Sequence, residues 1–199
     1  EHVSASVGVV LGQRDAGSTD SLMLDASLAM GEAKRAGGAR FSLFEPAMRA
    51  RAARRATIET DLRGAIERGA LTVAYQPIVS LASRRCVGME ALVRWQHPLL
   101  GNVPPLEFVE VAEDIGLISE LGRFVMDEAC RACAAWQQQF GAGAPRSVSV
   151  NVSRAQLLGS DHIEHVRTAL ASSGLNAAAL QVEVTESLAA QDDRVRRSL

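Results

Sequence analysis

The chain is 199 residues long, 47% apolar and 22% charged, which is enough to fill one core or two small ones and excludes a disordered chain. Its formal charge of -2 gives no basic field and its 4% aromatic content gives few stacking platforms, so a nucleic acid polymer is not an expected partner. No apolar run approaches the roughly 20 residues that cross a bilayer, and Glu1-His-Val-Ser lacks a signal-peptide layout, so no membrane segment is expected in these residues. Cys86, Cys130 and Cys133 are too few and too unevenly placed for a disulfide framework, which fits a reducing, cytoplasmic setting. The sequence opens without Met on strand-like residues and is expected to be a piece of something longer, whose other segments could carry a membrane anchor.

Residues Val3 to Leu11 alternate small polar and apolar side chains as a strand does, and Gly12 to Ser18 supply loop chemistry. Asp20 or Ser21 is expected to cap a helix through Lys34, with Leu22, Leu24, Leu28, Ala29 and Ala33 as its apolar stripe and Gly37-Gly38 as its stop. Phe41-Ser-Leu-Phe44 then reads as a short closing strand. The segments Ser4-Ala-Ser-Val-Gly-Val, Asp25-Ala-Ser-Leu-Ala-Met and Glu32-Ala-Lys-Arg-Ala-Gly-Gly38 resemble the C-terminal end of a GGDEF (diguanylate cyclase) domain. Met30-Gly31 stands where that family usually has Tyr, and the signature that binds metal and GTP is absent, so residues 1–45 offer no cyclase site.

From Pro46 to Arg68 the composition turns to Ala, Arg and Glu, with Leu62, Ala65 and Ile66 as a modest stripe, which predicts a connecting helix. Residues 46–57 are read as linker, and the arginines at 49, 51, 54 and 55 as its solvated face. Leu71 to Val79 is a strand, and the short turn Ser80 to Arg85 requires its successor, Val87 to Trp95, to pair antiparallel with it. On that second strand the period of two sets Met89, Ala91, Val93 and Trp95 against Glu90, Leu92 and Arg94.

Pro104-Pro105 opens a helix that Gly116 closes, and Ser119 is expected to cap a long helix to Phe140. Cys130 and Cys133 fall on its apolar stripe and read as packing residues, not as a redox or zinc pair. Arg146 to Ser153 is a strand with Val148, Val150 and Val152 opposed to Ser149, Asn151 and Ser153. A helix with Ile163, Val166 and Leu170 follows, and then Leu180 to Ser187 is a strand carrying Glu183 among its polar positions.

Helix and strand alternate at βα spacing from Glu90 onward, which predicts an α/β fold that begins as a TIM-like (β/α) barrel with one antiparallel strand. Barrels of that kind gather their chemistry at the C-terminal ends of strands, where Glu90, Asn151 and Glu183 fall. Two carboxylates and an amide oxygen are hard donors suited to Mg²⁺ or Mn²⁺.

Residues 58–199 are similar to the first part of an EAL-type cyclic di-GMP phosphodiesterase domain through Tyr75-Gln-Pro-Ile-Val79, Gly88-Met-Glu-Ala-Leu-Val-Arg-Trp-Gln-His-Pro98, Ala112-Glu-Asp-Ile-Gly-Leu-Ile118, Val150-Asn-Val-Ser-Arg-Ala-Gln-Leu157 and Val182-Glu-Val-Thr-Glu-Ser187. The resemblance implies Glu90, Asn151 and Glu183 as metal ligands, with Glu90 and Glu183 catalytic, Gln76, Leu92 and Arg94 as contacts to cyclic di-GMP, and Glu186 as a loop anchor. It implies two-metal hydrolysis of one phosphodiester bond to linear pGpG within bacterial signalling, and a homodimer through the EAL domain as a candidate assembly.

Glu110 stands where the family often has proline, a departure expected to matter little. The family's paired aspartates, its lysine and its later glutamate and glutamine have no counterpart in this sequence. The 199 residues alone are therefore expected to be inactive, with the apolar faces of Val148, Val150, Val182 and Val184 exposed along an open sheet edge. The competing expectation is a degenerate module that binds cyclic di-GMP or a partner protein without turnover.

Overall fold

A computed structural model of the chain describes residues 3–12, 18–159 and 161–184. By its internal packing the chain divides into residues 1–58 and 59–199.

In the first unit β1 (Val7–Val9) pairs parallel with β2 (Phe41–Leu43), and α1 (Thr19–Arg35) connects them. α1 lies so close to β1 that a Cβ on Gly8 would stand 1.9 Å from the carbonyl oxygen of Ala26, a position only glycine can hold. The helix begins earlier than its apolar stripe suggested. Ser18, not Asp20 or Ser21, is the N-cap, its Oγ accepting from the Ser21 N–H at 3.3 Å, while Asp20 lies in the first turn. Gly37 and Gly38, with φ of 103° and 71°, end the helix as expected.

α2 (Ala47–Glu67) begins in this unit. Its Arg49 does not belong to a merely solvated face, because Asp25 on α1 is buried and needs a counter-charge. Arg49 forks onto it with Nε to Oδ1 at 2.6 Å and Nη2 to Oδ2 at 2.7 Å, and Nη2 also donates to the Ser21 hydroxyl.

The second unit holds a five-stranded mixed sheet in the order β3-β4-β6-β7, with a short β5 added to β4. β3 (Leu71–Val79) is antiparallel to β4 (Cys86–His97), as the short turn required, and β4, β6 (Ser147–Asn151) and β7 (Leu180–Glu183) run parallel. β3 is not the sole antiparallel strand. β5 (Gly101–Val103) folds back on the end of β4, too short for any periodicity to announce it.

α3 (Pro105–Asp114) and α4 (Ile118–Phe140) link β5 to β6, and α5 (Arg154–Leu157) and α6 (His162–Ser173) link β6 to β7. α4 is capped by Leu117 with no side-chain bond, so the expected cap at Ser119 is not used.

One face of the sheet is the core. Ala91, Val148 and Val150 are buried there with Val125, Met126, Ala129, Cys130 and Cys133 of α4 and Ala169 of α6, and Met89, Val93, Leu180, Val182 and Val184 pack against them. The expected exposure of Val148 and Val150 is thus overturned, since α4 and α6 cover that side; both are under 2% exposed. Both helical cysteines are free and fully buried, in keeping with a packing role. Burial, with the Asp127 charge nearby, pushes the Cys130 thiol up to about 11. Phe140, the last residue of α4, is exposed.

The end of β4 is held by His97, which is 2% exposed. Its Nδ1 accepts from the N–H groups of Leu99 and Leu100 at 3.1 Å each, so Nε2 carries the hydrogen donated to Asp61 Oδ2 at 2.9 Å. Trp95 makes T-shaped ring contacts with both His97 and Phe108.

Candidate functional site

Because Met89, Ala91, Val93, Val148 and Val150 face the core, the alternate residues of the same strands form the other, polar face. Register sets Gln76 on β3 opposite Glu90 on β4, Glu90 beside Ser149 on β6, Ser149 beside Gln181 and Asn151 beside Glu183 on β7. Leu92 and Arg94 continue the β4 row toward its C-terminal end, opposite Ala74 and Thr72. Residues up to 107 apart in sequence thus share one surface, from Gln76 to Glu183.

Asn151 donates from Nδ2 to Glu90 Oε1 at 2.8 Å, leaving the second carboxylate oxygen of Glu90 and the Asn151 carbonyl oxygen available as hard donors. Arg94 donates from Nη1 to its neighbour's backbone oxygen, Val93 O, at 2.9 Å, which holds one terminal nitrogen of a guanidinium that has further N–H donors suited to a phosphate. After Asn151 the chain turns into α5 through a capping box: Ser153 Oγ accepts from Gln156 N–H and Gln156 Oε1 accepts from Ser153 N–H. Gly122 of α4 sits against the Gln156 amide, where a Cβ would be 1.7 Å away. This close contact between α4 and α5 holds the segment that follows Asn151.

A cavity of about 720 Å³ opens at these strand ends, a size suited to a ligand of drug or nucleotide scale. Leu92, Arg94, Asn151 and Glu183 form part of its wall; α3 supplies Leu106, Val109, Glu110 and Glu113, α4 supplies Leu121, α5 supplies Arg154, and Val152 comes from the link between β6 and α5. Gln76 and Glu90 border the same sheet face but not the cavity.

Sequence reasoning did not place α3 in this wall, although Leu106, Val109, Glu110 and Glu113 have the three-and-four spacing of one helical face. Glu110, taken as a minor departure, is among them. Among the described residues no three His, Cys, Asp or Glu side chains cluster as a metal site, so the donor set here is two carboxylates and an amide. Glu186 lies outside the described residues.

Parallel strands whose polar residues converge at their C-terminal ends, beside a cavity walled by the following helices, define an α/β protein of the kind that binds ligands at its strand ends. The particular family is given by its sequence. Residues 59–199 match the EAL domain model, and the chain belongs to that family.

Its relatives include the bifunctional diguanylate cyclase/cyclic di-GMP phosphodiesterase MucR of Pseudomonas aeruginosa, 38% identical over 96% of this chain, and the cyclic di-GMP phosphodiesterase PdeR of Escherichia coli, 33% identical over the whole of it. The chain spans 27% and 29% of the lengths of these two relatives. The solved PaMucR phosphodiesterase in complex with c-di-GMP superposes with a TM-score of 0.66 at 38% identity, over 72% of this chain and 56% of that one. The EAL enzyme Bd1971, bound to cAMP and cyclic di-GMP, shares the fold at a TM-score of 0.67 and 22% identity, over 93% of this chain and 48% of its own. No helix among the described residues is long and apolar enough to cross a membrane.

Proposed function

We propose that this chain is part of a bacterial cyclic di-GMP phosphodiesterase that cleaves one phosphodiester bond of the cyclic dinucleotide to give linear pGpG. The observation that carries the reading is the Asn151 to Glu90 hydrogen bond at 2.8 Å with Glu183 in register beside Asn151, on a chain of the EAL family. Strands far apart in sequence gather an amide and two carboxylates, which suit a hard divalent cation such as Mg²⁺ or Mn²⁺. Their fit is supported by the bond itself, which holds Glu90 through the Asn151 amide nitrogen and does not use the Asn151 carbonyl oxygen. Glu90, Asn151 and Glu183 are the residues that would hold the metal.

When bound, the ions would supply the Lewis acidity that makes water a nucleophile near neutral pH and offsets charge on the leaving oxygen. Arg94 binds the phosphate through charge-assisted hydrogen bonds, Leu92 packs against the dinucleotide, and Gln76 contributes polar contacts from β3.

The remaining ligands and the lysine of the two-metal machinery belong to residues other than these, so the 199 residues alone do not turn over. On this reading the sheet is the first part of a TIM-like barrel, and residues 1–45 are the tail of a GGDEF domain joined by residues 46–57 to the EAL part. MucR, named for both activities and aligned over 96% of the chain, supports that organisation.

The test is incubation of the full-length protein and of this chain with cyclic di-GMP and Mn²⁺ or Mg²⁺, followed by chromatography for pGpG. Turnover by the full-length protein is expected, with none from the 199 residues or from full-length Glu90→Ala or Glu183→Ala. Undiminished turnover in either variant would refute the assignment, and tight binding without turnover in the parent would make the protein a receptor.

A further inference from the structure

Ser149 is buried to 1% exposure, and its Oγ has no hydrogen-bond partner among the described residues. Burying a hydroxyl without a partner is costly, and the fold gives no reason to have one there: β6 reads Ser147-Val-Ser-Val-Asn151, and alanine would fill the position without stranding a polar atom. The register gives a reason of another kind. Ser149 lies on the polar face, with Glu90 as its partner on β4 and Gln181 as its partner on β7, one step below Asn151 and Glu183. Asn151 engages one carboxylate oxygen of Glu90, Oε1, at 2.8 Å.

We propose that Ser149 is a positioning residue of the metal site, whose hydroxyl donates to the Glu90 carboxylate when a divalent cation is bound and so orients Glu90 for ligation. The inference rests on the metal reading given above. A carboxylate that ligates through one oxygen and is gripped by amide and hydroxyl donors is held in one orientation, and such supporting donors commonly govern metal affinity by about 10–100-fold.

The experiment is calorimetric titration of the full-length protein with MnCl₂, together with thermal unfolding in a chelator, for the parent, Ser149→Ala, Ser149→Thr and Glu183→Gln. Ser149→Ala is expected to weaken Mn²⁺ binding about 10-fold while leaving the metal-free melting temperature unchanged or higher, and Ser149→Thr, which restores a hydroxyl, is expected to recover most of the affinity. If Ser149→Ala binds Mn²⁺ as the parent does while Glu183→Gln does not, the role of Ser149 is refuted and the metal site stands. A fall in metal-free melting temperature for Ser149→Ala would equally overturn the proposal, since it would show a hydroxyl bonded in the unloaded fold. If the parent binds no Mn²⁺, or Glu183→Gln leaves binding intact, the metal reading itself fails.

Discussion

Replacing His97 with Phe keeps a buried ring beside Trp95 but removes both nitrogens, and the consequences can be counted. The N–H groups of Leu99 and Leu100 lose their common acceptor, and Asp61 Oδ2 loses its donor. Leu99 is 84% exposed, so water can reach the turn and each lost backbone bond is expected at the low end of the usual range, about 0.5–1 kcal/mol. Asp61 has a side chain 42% exposed, and its bond adds on the order of 0.5 kcal/mol. The total is about 2 kcal/mol for His97→Phe.

Asp61→Asn, which preserves an oxygen acceptor, should cost less than about 1 kcal/mol. In urea, with a slope of about 2 kcal/mol per molar, His97→Phe lowers the unfolding midpoint by about 1 M and Asp61→Asn by well under half of that. A His97→Phe midpoint within about 0.2 M of the parent, with unchanged slope, would refute the view that this imidazole holds the turn between β4 and β5.

In the full-length protein Arg94→Ala should weaken cyclic di-GMP binding more than Mn²⁺ binding, because a guanidinium clamps phosphate and cannot ligate a cation; calorimetry with each ligand separates the two. Gly122→Ala must displace the Gln156 amide and break its Oε1 bond to the Ser153 N–H, while the Gln156 N–H bond to Ser153 Oγ stays, at a cost of about 0.5–1 kcal/mol in urea unfolding. Thiol titration of the native chain should count Cys86 alone, with Cys130 and Cys133 reacting only in denaturant. The Cys130 thiol, ordinarily near 9.0, is pushed up to about 11 by burial, so the unfolded chain ionises first. The stability that this thiol contributes is therefore complete below pH 9.0 and lost as pH rises through about 11, a decline that Cys130→Ala should flatten in denaturation midpoints measured across that range.

The alternation on β4 and β6 was legible because a strand buried on one face must repeat every two residues, and the antiparallel pairing of β3 with β4 followed from a turn too short for a crossover. The buried cysteines of α4 were legible for the same kind of reason, at the helical period. Sequence could also put Glu90, Asn151 and Glu183 on the polar sides of their strands, but Glu90 lies in the middle of β4 and not at its end, because the strand runs on to His97.

It could not set the cap of α1 at Ser18 or leave α4 without a side-chain cap, because several neighbouring residues can serve and the choice depends on where the helix meets its strand. Nor could it find β5, three residues that pair back on the end of β4 across a turn whose Leu99 and Leu100 N–H groups donate to His97. The closing of Val148 and Val150 under α4 and α6, the place of Glu110 in the cavity wall and the buried hydroxyl of Ser149 depend on which elements lie across from one another. Periodicity tells which side of an element is apolar. Tertiary packing alone decides what stands opposite that side, and so which polar atoms find partners and which are left without one.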